Sequence, residues 1–197
     1  MKKILYVGLD VHAETIAEAV AEGGRGGEVR SVGTIANRIE AIRKLVKKLR
    51  EQGEIRACYE AVPAGYCLYW QLTQLEVECE VIAPSLIPVK ASERVKTDRR
   101  DAEKLARCYR AGELTAVAVP SPEQEALRDL VRAREAAKKD QLKARHRLGK
   151  FLLRHGRKPD GMKAWIKQYL EWIKTSVHFE HKALEVTLLH YLHEAVS

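Results

Sequence analysis

The spacing of apolar residues changes several times along the chain, and each change marks a predicted element. Ile4-Leu5-Tyr6-Val7-Gly8-Leu9 is a continuous apolar run, which predicts a strand over residues 3–9, buried on both faces and ended by Asp10. Glu14 to Val20 alternates polar and apolar, as a half-exposed strand does, and Glu28 to about Ile35 reads as a third strand. Between these two lies Gly23-Gly24-Arg25-Gly26-Gly27, which neither follows a buried strand nor opens a helix with Lys-Ser/Thr. It predicts a flexible hairpin tip rather than a phosphate loop, and the three strands an antiparallel meander.

The period then lengthens. Asn37-Arg38-Ile39-Glu40 reads as a capping box, and Ile39, Ile42, Leu45, Val46 and Leu49 line one stripe of the helix it opens. Gln52-Gly53 stops that helix before a fourth strand over 55–60, which ends on Glu60. A turn at Val62-Pro63-Ala64-Gly65 leads to a helix over 66–76, whose Tyr66, Tyr69 and Trp70 are expected to cover the sheet rather than stack on bases. Val77 to Ala83 alternates as a fifth strand closed by Pro84, and the aperiodic stretch 85–96 predicts a loop. The order β-β-β-α-β-α-β-α, with Asp10 in the first strand, Glu60 in the fourth and the acids Asp98 and Asp101 opening the last helix, predicts an α/β fold of ribonuclease-H-like type, a mixed sheet with helices and a ligand crevice at the strand carboxyl ends.

From Ser121 the pattern is helical throughout. Ser121-Pro122-Glu123-Gln124 combines a cap, a proline at the first helical position and a capping-box glutamine. Leu127, Leu130, Val131, Leu142, Leu148, Phe151 and Leu152 form a narrow seam on a long helix, a coiled-coil-like extension that asks for a partner helix. Gly156 to Gly161 breaks it. Met162 to Ala195 reads as one further, more apolar helix, with Trp165, Ile166, Tyr169, Leu170, Trp172 and Ile173 in its first half, folding back as an antiparallel hairpin over that seam. The predicted domains are therefore 1–120 and 121–197.

Charge separates the same two parts. Residues 1–80 carry 11 Lys+Arg against 12 Asp+Glu, whereas 128–158 carry 12 Lys+Arg against 3 Asp+Glu, a net +9 that exceeds the +8 of the whole chain. Such a basic helix predicts a polyanionic partner. No apolar run approaches the roughly 20 residues of a membrane span, and the run after Met1-Lys2-Lys3 is too soon interrupted by Asp10 for a signal peptide. The expectation is a cytoplasmic protein with no membrane association. Cys58, Cys67, Cys79 and Cys108 show no C-x-x-C pairing and are expected to be reduced, packed thiols.

Candidate chemistry centres on Lys96-Thr97-Asp98-Arg99-Arg100-Asp101-Ala102. In a first helical turn Asp98 and Asp101, three apart, share a face. Taken alone, Asp98 reads as a cap on a helix running to about Gly112. Asp10 and Glu60, at the ends of neighbouring strands, add the further carboxylates that a hard divalent cation requires. His12 follows Asp10 by two residues and reads as a surface turn histidine before a metal or substrate contact. Lys90, Arg94, Lys96, Arg99 and Arg100 surround the acids, either to hold phosphate or in solvated ion pairs with Glu93 or Glu103. His178, His181, His190 and His193 lack the carboxylate or cysteine company of a metal site.

Taken in order, Gly8-Leu9-Asp10-Val11-His12, Tyr59-Glu60-Ala61 and Lys96 to Ala102 closely resemble the DEDD transposases of the IS one-ten insertion-sequence family over about residues 3–155. That resemblance implies an RNA-guided DNA recombinase whose RuvC-like acidic tetrad is Asp10, Glu60, Asp98 and Asp101, holding magnesium or manganese for DNA strand cleavage and exchange. It implies DNA and a structured guide RNA as partners, and a basic helical region that assembles a homo-oligomer, dimer or tetramer. The expected nucleic-acid contacts are Lys96, Arg99, Arg100, Arg132, Lys138, Lys139, Lys143, Arg145 and Arg147. Family members continue into a C-terminal domain carrying a serine nucleophile. The sequence ends at Ser197, which lies in no such motif, so a truncated product or fragment that binds metal and RNA without completing strand exchange is expected. A free-standing junction-resolving nuclease and a non-catalytic RNA-binding or dimerising module remain the alternatives.

Overall fold

The computed structural model describes residues 3–24, 27–61, 65–88 and 97–196. The chain divides into two compact units, Met1–Val119 and Pro120–Ser197. In the first, β1 (Ile4–Val11), β2 (Thr15–Glu22), β3 (Val29–Ala36), β4 (Glu54–Glu60) and β5 (Glu78–Ile82) form one sheet in the order β3-β2-β1-β4-β5. The first three strands are the expected antiparallel meander, while β4 runs parallel to β1 and β5 parallel to β4. This is the mixed sheet of a ribonuclease-H-like fold.

The two faces of the sheet are covered differently. On one, Leu5, Val7, Leu9, Val11, Ile16, Val20, Tyr59 and Val81 pack under α1 (Ile39–Arg50) and α2 (Cys67–Gln74), which contribute Ile42, Leu45, Val46, Leu49, Leu68 and Leu72. Each fully buried aliphatic side chain of this kind stabilises the fold by about 1.5–3 kcal/mol. Tyr66 and Tyr69 join this cluster, as expected of residues covering a sheet, whereas Trp70 is half-buried outside it, its ring centroid 6.3 Å from that of Tyr66. On the other face lie small residues, Ala17, Ala19 and Ala21, against Ala102 and Ala106 of α3 (Asp98–Ala111). Gly8 sits among them. A Cβ built there would stand 2.3 Å from the Ala102 carbonyl oxygen and 2.4 Å from the Ala106 nitrogen, so the α3 backbone rests directly on the β1 backbone. Gly112 ends α3 in the left-handed conformation, at φ 72°. Arg110 then ties the helix to the β2–β3 hairpin by donating to the Gly27 and Glu22 carbonyls at 2.5 and 3.2 Å.

Glu18 is the polar residue in this core, 4% exposed in β2 with its Oε2 unpartnered among the described residues. Burial pushes its carboxyl up to about 7, against a smaller downward pull from Lys48 of α1.

Several expectations need correction. The first helix is capped at Arg38, without a side-chain bond, because Asn37 is used elsewhere. Its amide donates to the His12 carbonyl at 2.8 Å, satisfying a turn distant in sequence instead of the helix end. All four cysteines are free, but Cys67 is exposed on α2 rather than packed. The turn at 62–65 falls mostly outside the described residues, as does the loop from 89 to 96 that includes Lys90, Arg94 and Lys96.

In the second unit, α4 (Pro122–Arg154) begins with the full capping box: Ser121 N–H donates to Gln124 Oε1 at 2.9 Å, and Gln124 N–H to Ser121 Oγ at 3.2 Å. The single helix expected over 162–195 is two, α5 (Lys167–Ser176) and α6 (Lys182–Val196), and Trp165 precedes them at φ 68°. No glycine or proline marks the break. Instead Glu185 of α6 accepts the Phe179 N–H at 2.9 Å, and the His181 ring accepts from Ala183 N–H at 3.2 Å, which satisfies helix-end donors at that point. The seam of α4 is covered over part of its length: Ala144, Leu148, Phe151 and Leu152 pack with Tyr169, Ile173, Leu188 and Leu192. Leu127, Leu130, Val131 and Leu142 stay 52–67% exposed. Among the described residues, no helix is long and apolar enough to cross a membrane.

Candidate metal centre

The sheet register brings two of the predicted acids to one edge. Leu9 pairs with Tyr59 across the parallel β1–β4 ladder, so Asp10 and Glu60 are the next positions at the carboxyl ends of neighbouring strands. Strand residues alternate between faces. Leu9 and Tyr59 belong to the cluster under α1 and α2, whereas Gly8 and Cys58 meet α3, Cys58 Sγ lying 3.9 Å from the Leu105 carbonyl. By that alternation Asp10 and Glu60 share the α3 side.

The other two acids arrive with the start of α3. Thr97 caps the helix, its hydroxyl accepting the Arg100 N–H at 3.4 Å, and Asp98 and Asp101 occupy the first turn. Carboxylates there are favoured by the helix dipole. Because Gly8 lets the helix lie against β1 two residues before Asp10, the acidic turn is brought over the end of that strand. Asp98, Asp10 and His12 converge. His12 Nε2 lies 3.2 Å from Asp10 Oδ2 and 3.6 Å from Asp98 Oδ1, and one donor atom from each residue lies within 4.8 Å of the others. Burial raises the Asp10 pKa most; His12 opposes that shift, and the nearby charges of Asp101 and Asp98 add to it. Glu60, half-buried at the end of β4, and Asp101 stand outside the group of three, Asp101 close enough for its charge to be felt at Asp10.

The basic residues are variously engaged. Arg99 pairs with Glu103 at 3.0 Å, the solvated i, i+4 bridge, and Arg100 is exposed beside it. Lys96 lies outside the described residues. On α4, Arg132 pairs with Glu125 and Asp129 at 2.9 and 3.0 Å, Lys138 with Glu135 at 3.8 Å, and Lys143 with Asp140 at 3.1 Å. Exposed pairs of this kind contribute little to stability and open readily. Lys139 is exposed. Arg145 stacks 5.0 Å over the Trp165 ring, and Arg147 reaches Glu194 of α6 at 2.9 Å, so both also hold the second unit together.

Sequence reasoning understated His12 and missed Asn37. The first is an exposed turn residue, as expected, but its ring turns back onto Asp10. A signal was present in the spacing, since a residue two beyond Asp10 falls on the same side of the strand. Asn37 fixes the turn from a distance, and its resemblance to a cap concealed that.

The chain matches the DEDD_Tnp_IS110 family, described as transposase, over residues 7–156. It is 47% identical over 184 residues to the protein named "Putative transposase y4qE" of Sinorhizobium fredii, an alignment covering 93% of this chain and 47% of that protein. It is also 39% identical over 194 residues to the "Transposase for insertion sequence element IS1533" of Leptospira borgpetersenii, covering 97% of this chain and 56% of the relative. The chain thus spans about half the length of these relatives. With the family matched over most of its residues, on a ribonuclease-H-like sheet that carries an acidic group at the end of its central strand, the chain belongs to the IS110 family of DEDD transposases.

Proposed function

We propose that the N-terminal unit is the metal-dependent, phosphate-handling part of a DNA transposase. In this reading Asp10, Glu60, Asp98 and Asp101 hold magnesium or manganese at the carboxyl ends of β1 and β4, and DNA is the polymer whose scissile phosphate is held there. The observation that carries the reading is the meeting of Asp10 with Asp98, from elements far apart in sequence, with their donor atoms and that of His12 within 4.8 Å of one another. The donor set fits such an ion. Hard carboxylate oxygens suit divalent cations, and a cation there would act with His12 against the burial and the two neighbouring carboxylates that raise the Asp10 pKa.

A divalent cation bound there would polarise a phosphate oxygen and stabilise charge on the attacking and leaving oxygens. Asp10 and Asp98 would ligate it, with Glu60 and Asp101 flanking. Lys96, Arg99 and Arg100 would meet the phosphodiester backbone as it crosses the start of α3. On α4, Arg132, Lys138, Lys139, Lys143, Arg145 and Arg147 would bind nucleic acid, including a structured guide RNA. The exposed Leu127, Leu130, Val131 and Leu142 would pack against a second copy in a dimer or tetramer.

The test is calorimetric titration of the whole chain with manganese and magnesium chloride. The Asp10→Asn, Asp98→Asn double variant is expected to lose affinity by about tenfold or more, since each substitution removes an ionic oxygen ligand. Unchanged affinity would refute the metal centre and leave a basic nucleic-acid binder with structural acids.

A further inference from the structure

His12 is the donor at this centre that the acidic set does not account for. Its Nε2 stands 3.2 Å from Asp10 Oδ2 and 3.6 Å from Asp98 Oδ1. Two ligands at right angles around a small divalent cation, each ~2.1 Å from it, stand ~3 Å apart. The observed separations are therefore close to one edge of a coordination polyhedron, needing side-chain shifts of tenths of an ångström to close on an ion.

The turn that carries the ring is clamped on both sides. His12 N–H donates to the Thr15 carbonyl at 2.8 Å, and the His12 carbonyl accepts from the Asn37 amide, also at 2.8 Å. Asn37 is itself held, its N–H donating to the Glu14 carbonyl at 2.9 Å. The β2–β3 register, which pairs Thr15 with Ala36, sets Asn37 beside this turn, so the backbone under the ring is held in place. The side chains of His12 and Asp98 are 52% and 62% exposed and that of Asp10 is 20% exposed, so the cluster is open on one side to an entering ion.

We propose that His12 is a nitrogen ligand of the cation held by Asp10 and Asp98, which makes the centre a mixed oxygen–nitrogen site that favours manganese(II) over magnesium. The inference rests on the reading of Asp10 and Asp98 given above. Magnesium holds an oxygen shell and keeps its waters, whereas imidazole is a good ligand for first-row transition ions. Without metal, Nε2 hydrogen-bonds to Asp10. To ligate the cation, neutral His12 would carry its proton on Nδ1 and release the Nε2 proton to solvent, freeing the Nε2 lone pair, with Asp10 and Asp98 contributing oxygens beside it.

Pulsed electron paramagnetic resonance of the manganese-loaded full chain tests this directly, together with calorimetry for both ions. A nitrogen hyperfine coupling is expected in the parent protein and absent in His12→Ala. That variant should bind manganese about tenfold more weakly while its magnesium affinity changes by less than about threefold. Asn37→Ala, which frees the turn but leaves the imidazole in place, should keep the coupling and weaken manganese binding by a smaller factor. Manganese bound without nitrogen coupling, at an affinity His12→Ala leaves unaltered, overturns the nitrogen ligand but not the Asp10–Asp98 site. If the parent binds no manganese, or binds it equally well after Asp10→Asn, both fall together.

Discussion

Replacing Gly8 by alanine tests how the centre is assembled. The added methyl would lie 2.3 Å from the Ala102 oxygen, 2.4 Å from the Ala106 nitrogen and 2.8 Å from the Leu105 Cβ. The first two are main-chain atoms of α3, so no rotamer change can relieve them. Ordinary non-bonded contacts are ~3.5–4.0 Å, which requires the helix to retreat from β1 by about 1 Å. Overpacking on that scale costs about 1–3 kcal/mol. The same retreat carries Asp98 away from Asp10, and metal ligands tolerate displacements of only ~0.2 Å. Gly8→Ala should therefore lower the stability of the N-terminal unit by about 2 kcal/mol and weaken manganese binding by about tenfold, both from one methyl group. Urea unfolding, read by hydrogen exchange at β1 and α3 amides, measures the first, and calorimetry the second. Gly149→Ala supplies the control: nothing lies within 4 Å of a Cβ there, towards the end of α4, and the change should stabilise that helix by up to ~1 kcal/mol. Should Gly8→Ala match the parent in both stability and metal affinity, close seating of α3 on β1 would not be what positions Asp98.

Two further outcomes follow from other parts of the molecule. Glu18 has a folded pKa of about 7, raised above its ordinary 4.5, so the stability it contributes in acid is lost as pH rises through about 7. Glu18→Gln should stabilise the N-terminal unit by up to about 3 kcal/mol above that pH and by little near pH ~4; melting curves that stay parallel across the range would contradict a buried, unpartnered carboxylate. On α4, changing Lys138, Lys139 and Lys143 together to alanine should flatten the dependence of duplex-DNA affinity on salt by about 0.9 in log–log slope for each phosphate that these lysines neutralise. An unchanged slope would remove this face of α4 from the nucleic-acid interface.

Much of this protein was legible along the chain because periodicity is a local property. The unbroken apolar run of β1 requires cover on both faces, and it is the central strand, with α1 and α2 on one side and α3 on the other. The single stripe of α1 and the Ser121 capping box likewise determine their own elements through neighbours within four residues, whereas β2, whose alternation predicts a half-exposed strand, is buried on both faces because α3 covers its alanine side. Element order then restricts the sheet to few topologies, and the i, i+3 spacing of Asp98 and Asp101 suffices to put both in one turn of α3. What the tertiary structure alone decided are choices between partners. Asn37 bonds the His12 turn rather than its own helix, His12 turns onto Asp10 and Asp98, and half of the α4 seam finds cover while Leu127 to Leu142 does not. An asparagine amide or an apolar stripe has several satisfactory neighbours, and which it meets depends on how whole elements pack. Here that packing turns on the missing side chain of Gly8, which lets a helix backbone touch a strand and carry a carboxylate to its end.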